Sequence, residues 1–345
     1  MQLSDPCIGD IAVDESDNIY ITARGDREER GPGGYFTIMY DSEGNEIWVS
    51  QYVSAEYNYD WSNALAVDNE GNVYVTGAGM VNGNAGNYDY ATVKYDGNGN
   101  QLWVARYGIT GEQRCYAKAL AIDSAGDVYV TGACGTVKYD SEGRQLWSTP
   151  CDSAEGCENS ASALALDNSG NLYVTGQSGT IKYDGDGNQL WRVDYTPVEY
   201  ESYHKWDIAV DKSDNAYVIG PNVVENSNEY SVVKYDADGV QHWSRQHIDP
   251  DVPKCKFREV TTDEYGNVYV AGHDVGFVTV KYDGDGNQLW VASGCSKDKR
   301  VDWEVSDIAL DGSGNIYVAG TAIRLDESYR KDEWYRMIIA RYVQY

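Results

Sequence analysis

The sequence predicts an all-β fold, a single seven-bladed β-propeller domain of four-stranded antiparallel blades spanning residues 1–345. Three observations support this prediction: one phrase recurs seven times, a second phrase ending in tryptophan follows it, and short Gly/Asn/Asp-rich turns separate the apolar runs. The first phrase begins as Ile11-Ala-Val-Asp14 and ends at Tyr20, and its aspartate recurs every 44 to 55 residues. This period is typical of propeller blades and too long for a heptad. The seven aspartates are Asp14, Asp68, Asp123, Asp167, Asp211, Asp263 and Asp311.

Each repeat contains four short runs rich in β-branched and aromatic residues, which we name strands A to D in chain order. In the second repeat these strands begin at Leu65, Val73, Thr92 and Gln101. The A–B and C–D connections are short and rich in glycine, asparagine and aspartate, which tolerate the positive φ angles of tight hairpins. Four antiparallel strands repeated radially form a propeller, in which only short sheet edges are exposed.

The phrases "GNVYVTG" and "DYATVKYDGNGNQLW" resemble the bacterial seven-bladed β-propeller repeat family, which is common in large secreted and cell-surface proteins. The resemblance extends from about residue 8 to residue 345 and implies the fold, but this family has no shared catalytic residues to carry over. The tryptophan-plus-glycine phrase also resembles the docking repeats of quinoprotein dehydrogenases. Those proteins usually have eight blades with a bound metal and quinone, and the sequence offers no ligand set for either.

The last repeat ends early, with Met337–Tyr342 as its strand C and no fourth strand before Tyr345. Residues 1–5 are similar to the strand D that leads to Cys151, except that the tryptophan is missing. We therefore expect residues 1–5 to complete blade seven as an N-terminal clasp. The alternative is a loosely packed N-terminus.

Composition restricts the classes of partner. The formal net charge is −28 at pH 7, which disfavours nucleic acid because phosphate binding requires clustered lysine and arginine. No stretch approaches the roughly 18 consecutive apolar residues of a membrane span, so we expect no membrane insertion. Met1 begins no recognisable signal peptide. We expect a monomer at an extracellular or cell-surface location whose chain begins after a removed segment; a cytoplasmic protein is the alternative.

All seven cysteines fall in D–A linkers or B–C loops, or at the strand ends beside them. An up-and-down strand path places these segments on one face of the domain, which we call the top face. Blades three and six carry cysteines at the same two positions, and six pairable thiols favour an oxidising compartment. A rival bond joins Cys151 to Cys157, and Cys7 is left over. The expected disulfides are Cys115–Cys151, Cys255–Cys295 and Cys134–Cys157.

The C–D turns beginning at Asp184 and Asp283 resemble the start of a calcium loop, which needs alternating oxygen donors and a distal carboxylate. The alternation stops after two aspartates and the strand resumes at once. A hairpin turn with a left-handed glycine explains these turns better, so no cofactor is predicted and Ca²⁺ remains the alternative.

Loop lengths and charges indicate a binding site on the top face. The B–C loops of blades seven (321–336), one (23–35) and two (78–90) are long and belong to consecutive blades, and loops on a rigid scaffold often carry function. Arginines in two of them suit a carboxylate or an acidic glycan, although solvated ion pairs with neighbouring acids are the alternative. The candidate ligand-binding residues are Arg24, Arg27, Arg30, Arg324, Arg330, Trp334, Tyr335 and Arg336.

Several aromatic residues stand outside the repeat pattern. Trp61, Trp206 and Trp303 shortly precede strand A, while Tyr88 and Tyr116 lie in a B–C loop and a linker. Such rings suit the recognition of sugars or peptides because they combine a large apolar area with a polar tip. The alternative is that they only anchor the linkers.

Acidic residues directly precede strand A in four blades, whereas the other blades carry Ala64, Ala119 and Ala163. An acidic arc at the channel mouth could hold a cation or perform acid–base chemistry, or it could be a hydrated rim. Neither a Ser-His-Asp arrangement nor a histidine-rich metal set is apparent. The sequence therefore predicts a non-catalytic binding or display module for a glycan or protein; the alternative is a quinone- or metal-dependent oxidoreductase or lyase. The channel-mouth candidates are Asp10, Asp207, Glu259 and Asp307.

Overall fold

The computed structural model describes residues 7–14, 16–24, 34–54, 60–81, 86–109, 114–150, 161–195, 205–221, 230–246, 256–273, 276–295, 301–310, 314–325 and 332–342. The chain is an all-β seven-bladed propeller whose blades are antiparallel sheets in sequential order, as predicted. Six blades have four strands each, and the seventh has three within the described residues. The chain divides into two compact units, Met1–Leu164 and Ala165–Tyr345. The first unit contains blades one to three.

The strands of the first three blades follow the predicted order A to D. Blade one comprises β1 (Cys7–Val13), β2 (Ile19–Arg24), β3 (Tyr35–Tyr40) and β4 (Glu46–Tyr52). Blade two comprises β5 (Trp61–Val67), β6 (Val73–Met80), β7 (Tyr88–Tyr95) and β8 (Gln101–Tyr107). Blade three comprises β9 (Ala117–Ile122), β10 (Val128–Gly132), β11 (Gly135–Tyr139) and β12 (Gln145–Pro150).

Blades four to seven repeat this order. Blade four comprises β13 (Ala163–Leu166), β14 (Leu172–Gly176), β15 (Gly179–Tyr183) and β16 (Gln189–Asp194). Blade five comprises β17 (Asp207–Val210), β18 (Ala216–Pro221), β19 (Tyr230–Tyr235) and β20 (Gln241–Gln246). Blade six comprises β21 (Lys256–Thr262), β22 (Val268–His273), β23 (Gly276–Tyr282) and β24 (Gln288–Cys295). Blade seven comprises β25 (Val301–Leu310), β26 (Ile316–Leu325) and β27 (Asp332–Tyr342).

The repeated aspartates shape the hairpin turns. In the A–B turn of blade two, the Asp68 carboxylate accepts hydrogen bonds from the Asn72 amide nitrogen at 2.8 Å and from the Asn72 side chain at 2.8 Å. The hydroxyl of Tyr74, a fully buried residue of β6, donates to the same carboxylate at 3.0 Å. The aspartate thus closes the turn and links it to the blade interior, which explains why the phrase keeps aspartate and tyrosine together.

The strand-D tryptophans connect consecutive blades. The indole Nε1 of Trp48 donates to the Gly97 carbonyl of blade two at 3.1 Å, and that of Trp103 donates to the Ser141 carbonyl of blade three at 3.0 Å. In the second unit, Trp243 makes the same bond to the Gly284 carbonyl at 3.0 Å. These rings lie over the glycine-containing C–D turn of the next blade, so the tryptophan and the turn glycine form one inter-blade joint.

The inner strands, A, begin with a β-bulge in five blades. In blade two, Ser62 pairs with Gly77 and Ala64 with Thr76, so that Asn63 has no cross-strand partner. A bulged residue is released from the ladder, and the strand bends there. The bulged residues in blades one, two, three, six and seven are Gly9, Asn63, Lys118, Arg258 and Ser306.

The hairpin of blade seven is longer than predicted. The sequence placed a loop at residues 321–336 and began strand C at Met337, whereas β26 continues to Leu325 and β27 begins at Asp332. Aromatic residues such as Trp334 and Tyr335 are strong strand formers, which favours this extension. Residues 1–5, the predicted clasp, lie outside the described residues. Within the part of the chain that the structure describes, no helix has the length and apolarity needed to cross a membrane.

Candidate functional site

The structure describes no side chain of the arginine-rich site predicted from loop lengths and charges. Arg27 and Arg30 lie outside them, as does Arg330, and Arg24 is the last residue of β2. The backbone of the blade-seven hairpin places four of the candidates in three register pairs of its two strands. Their side chains are not described, and this binding site remains a prediction. The register pairs are Arg324 with Trp334, Ile323 with Tyr335 and Ala322 with Arg336.

The top face of blade three carries a disulfide between Cys115 and Cys134, whose Cα atoms are 5.1 Å apart. Both cysteines were predicted to form disulfides, but the expected Cys115–Cys151 and Cys134–Cys157 pairings are wrong. The bulge sets the register: Gly132 opposes Ala117, and the Ala133 amide donates to the Tyr116 carbonyl at 2.9 Å. The next pair along the ladder is therefore Cys134 with Cys115.

The remaining predicted disulfide stays a prediction. Cys151, Cys157 and Cys255 lie outside the described residues. Cys295 is the last residue of β24, opposite Gly276, and its side chain is not described.

The blades differ from one another where strand A begins. We define the start segment of a blade as three positions: the residue two before the bulge, the bulged residue and the residue after it. Inner strands of consecutive blades contact one another, β1 with β5 and β5 with β9. In blade two the start segment is Trp61, Asn63 and Ala64, and in blade three it is Tyr116, Lys118 and Ala119. The start segments of the other bulged blades are Cys7, Gly9 and Asp10; Lys256, Arg258 and Glu259; and Glu304, Ser306 and Asp307.

Three rings from blades two and three pack together at the top face, and we call Trp61, Tyr88 and Tyr116 the aromatic platform. The ring centroids are 4.9 Å apart for Trp61 and Tyr88, and 5.2 Å for Trp61 and Tyr116. The two tyrosine rings are 5.6 Å apart. Tyr88 is buried, whereas Trp61 and Tyr116 remain partly exposed. Each ring touches the other two, so mutual packing holds the partly exposed rings in place.

In blades two and three, the residue before the start segment is buried and held by strong interactions. Before Trp61, the fully buried Asp60 carboxylate accepts hydrogen bonds from the Ser54 amide at 2.7 Å and from the Met80 amide at 2.8 Å. Before Tyr116, Cys115 forms the disulfide, and its amide donates to the Tyr88 carbonyl at 3.0 Å. The platform therefore rests on rigid backbone on both sides.

Two further side chains join blade two to its surroundings near the platform. The guanidinium of Arg106 donates to the carbonyls of Gly79 at 2.6 Å and Met80 at 3.0 Å, at the end of β6. The hydroxyl of Tyr90 donates to the Gly135 carbonyl at 2.9 Å and accepts from the Cys134 amide at 2.8 Å. The disulfide hairpin of blade three is thus attached to blade two.

The predicted channel-mouth acids of the second unit lie on the inner strands of blades five to seven. Lys205 contacts Glu259 as an ion pair, and Asp207 Oδ2 accepts a hydrogen bond from the Val260 amide at 2.8 Å. Glu259 is 8% exposed. Burial raises the pKa of Glu259 well above its usual value, and the neighbouring carboxylates Asp207 and Asp307 raise it further, although Lys205 opposes the shift. Burial likewise raises the pKa of Asp207.

In the first unit, Asp10 occupies the equivalent position of blade one. Its Oδ1 accepts from the Ile11 amide at 2.9 Å, and its Oδ2 accepts from the Leu65 amide of blade two at 2.8 Å. Asp10 and Asp207 therefore make the same inter-blade bond, in which a carboxylate connects one inner strand to the next. The alanines of blades two and three cannot make this bond.

The turns that resemble calcium loops use their aspartates internally. Asp184 Oδ1 accepts from the Asn188 amide at 2.9 Å, and Oδ2 accepts from the Asn188 side chain at 2.9 Å. The same two donors lower the pKa of Asp184. The hairpin interpretation, with left-handed Gly187, therefore accounts for this turn. Among the described residues, no group of three or more His, Cys, Asp or Glu side chains is arranged to hold a metal ion.

The platform as a cluster and Lys118 were not identified from the sequence. In the sequence, Trp61, Tyr88 and Tyr116 stand out only singly, as aromatic residues outside the repeat pattern. Aligning the repeats on their strand-A aspartates would have placed Trp61 and Tyr116 at the same position. Lys118 carried no such signal, because its role depends on the bulge.

Comparison with known families supports the fold. A family model described as "Outer membrane protein assembly factor BamB" matches residues 133–325, more than half of the 345-residue chain. A second model, described as "Beta-propeller repeat", matches residues 47–80. No curated protein matches the chain significantly.

Solved structures share the fold at low sequence identity. BamB from Moraxella catarrhalis is 18% identical with a TM-score of 0.56, covering 90% of this chain and 82% of its own. The Pan2 WD40 domain of Neurospora crassa is 11% identical with a TM-score of 0.59, covering 90% and 85%. Virginiamycin B lyase from Staphylococcus aureus is 13% identical with a TM-score of 0.52, covering 81% and 83%. These similarities establish the propeller fold alone.

Proposed function

The chain belongs to the β-propeller family whose model is described as outer membrane protein assembly factor BamB, and we propose that it is a non-catalytic protein-binding module of the bacterial cell envelope. The family description refers to an assembly factor, which supports a protein as the partner. The disulfide between Cys115 and Cys134 supports a compartment outside the cytoplasm, because such bonds persist in oxidising environments.

The aromatic platform is the observation that carries this proposal. Tryptophan and tyrosine dominate the energetic centres of protein interfaces, where rigid rings bind with little loss of conformational freedom. The rings of Trp61 and Tyr116 are partly exposed, and packing within the platform, with ring centroids 4.9 to 5.6 Å apart, already fixes them. The inter-blade joints need none of these rings, because the strand-D tryptophans make those joints.

The enzyme alternative has weaker support. The acids of the second unit are already engaged, since Glu259 contacts Lys205 and Asp207 accepts from the Val260 amide. The lyase among the structural neighbours shares 13% identity, which carries the fold but no reaction. We therefore assign binding, and we place it on blades two and three.

Site-specific cross-linking in the envelope of the producing cells tests the proposal. A photoreactive phenylalanine analogue replaces Arg114, an exposed residue whose backbone pairs with Tyr88, so that the three rings remain intact. The matched control places the same analogue at Tyr265, which is 82% exposed on an A–B turn. We expect a protein adduct from position 114 alone, and we expect Trp61→Ala to reduce it at least fivefold.

Three results would contradict the proposal. Adducts of equal yield from both positions, or an adduct that Trp61→Ala leaves unchanged, would show that the platform does not bind a partner. If the chain binds to a glycan array and Trp61→Ala abolishes this binding, the ligand of the platform is a carbohydrate and not a protein. An unchanged melting temperature in the Trp61→Ala variant confirms that any loss reflects the surface.

A further inference from the structure

We infer that Lys118, beside the aromatic platform, binds a carboxylate of the partner, so that the recognised segment combines an acidic group with an apolar or aromatic side chain. This inference rests on the proposed function and specifies the chemistry of the ligand. It assigns Lys118 the role of a specificity-determining residue, with the rings as the apolar part of the site.

The bulges of blades two and three bring the parts of this site together. Lys118 follows Tyr116 by two residues, a distance of at most about 7 Å along the backbone. Asn63 follows Trp61 by two residues in the same way, and its Nδ2 donates to the Ala117 carbonyl at 2.7 Å. The two bulges are therefore tied together directly beside the rings.

The charge of Lys118 is not balanced within the described residues. None of them forms an ion pair with its ammonium group, although the chain carries a formal net charge of −28. Two other cations at strand-A starts have partners: Arg258 lies 3.9 Å from Glu304, and Lys205 contacts Glu259. The flanking start-segment positions in blades two and three are Ala64 and Ala119, which bring no carboxylate.

Lys118 is also partly buried, which makes an unpaired charge unfavourable. Burial lowers the pKa of Lys118, and no neighbouring charge opposes this shift. A bound carboxylate would supply the missing counter-charge at a place where little water competes for the ammonium group. A single lysine in so acidic a chain suits one carboxylate and disfavours a polyanion, which needs several clustered cations.

A pair of small probes tests this ligand chemistry on the full chain. N-acetyl-phenylalanine carries an aromatic ring and a free carboxylate, and N-acetyl-phenylalanine amide carries the same ring without the charge. Affinities are measured by ligand-observed NMR titration at pH 7. We expect the acid to bind about tenfold more tightly than the amide, as one charge-assisted hydrogen bond allows.

Four variants separate the contributions. Lys118→Met should bind both probes equally, Lys118→Arg should keep the preference for the acid, and Trp61→Ala should weaken both probes. Lys212→Met is the matched control, since Lys212 is an exposed lysine paired with Glu264 at 3.6 Å. Melting temperatures close to that of the wild type show that each variant is folded.

The outcomes distinguish this inference from the proposed function. Equal binding of acid and amide by the wild-type protein, or a preference that survives Lys118→Met, overturns the role of Lys118 and leaves the platform standing. Binding of neither probe also overturns the inference, whereas the proposed function is decided separately by the cross-linking at position 114.

Discussion

Two glycines with the same backbone conformation should differ sharply in their tolerance of a methyl group. Gly71 and Gly99 both have φ of 80°, and both amides donate to the carbonyl of an aspartate three residues earlier. A Cβ at Gly71 would meet nothing within 4 Å, whereas one at Gly99 would lie 2.7 Å from Cδ2 of Trp48. Comparing substitutions in the two turns therefore separates the energetic contribution of the inter-blade joint from the cost of the left-handed conformation.

The expected magnitudes follow from these surroundings. Gly71→Ala should lower the free energy of unfolding by about 1–2 kcal/mol, the cost of a left-handed alanine. Gly99→Ala bears the same cost and also forces the Trp48 ring away, which adds about 1–3 kcal/mol as overpacking does elsewhere. In a Trp48→Ala background most of the added cost should disappear, because only Ser50 Oγ, 2.9 Å from the new Cβ, is left to move.

Urea denaturation followed by far-ultraviolet circular dichroism measures these differences, with each variant fitted to its own folded and unfolded baselines. If the free energy of unfolding falls with urea concentration at a similar slope in all variants, the variants expose the same amount of surface on unfolding. If the two glycine substitutions cost the same within about 0.5 kcal/mol, the tryptophan does not pack on the turn as described. The same conclusion follows if Trp48→Ala leaves the cost of Gly99→Ala unchanged.

Two further predictions concern the disulfide and the buried acid. Replacing both Cys115 and Cys134 by alanine should lower the free energy of unfolding by about 3 kcal/mol, from the chain entropy of a bond spanning 19 residues, and the difference in urea midpoint should close when both proteins are measured in reductant. The pKa of Glu259 in the folded protein is raised above 4.5. Protonated Glu259 therefore favours the folded state, and this stabilisation is fully present below pH 4.5 and is lost as the pH rises through the folded pKa. Glu259→Gln, which mimics the protonated acid, should flatten this decline in urea midpoint, and an unchanged pH profile would contradict the buried-acid assignment.

The fold could be predicted from the sequence because its requirements are local and repeated. The aspartate of each A–B turn closes its own hairpin, and each strand-D tryptophan meets the next turn, so both residues recur at fixed spacing. The disulfide pairing could not be predicted, since it depends on a bulge that shifts which residues oppose one another. The recurrence of two cysteine positions in blades three and six indicated Cys151 as the partner of Cys115, and that recurrence carries no information about the register.

The same bulge explains why the functional candidates gather at the start of strand A. A bulged residue has no cross-strand partner, so the ladder places no demand on its side chain. Within the described residues these five positions hold Gly9, Asn63, Lys118, Arg258 and Ser306, five different residue types in an otherwise repetitive chain. In blades one and five, Asp10 and Asp207 join neighbouring inner strands. In blades two and three, alanine follows Asn63 and Lys118, and an alanine side chain cannot make this carboxylate joint.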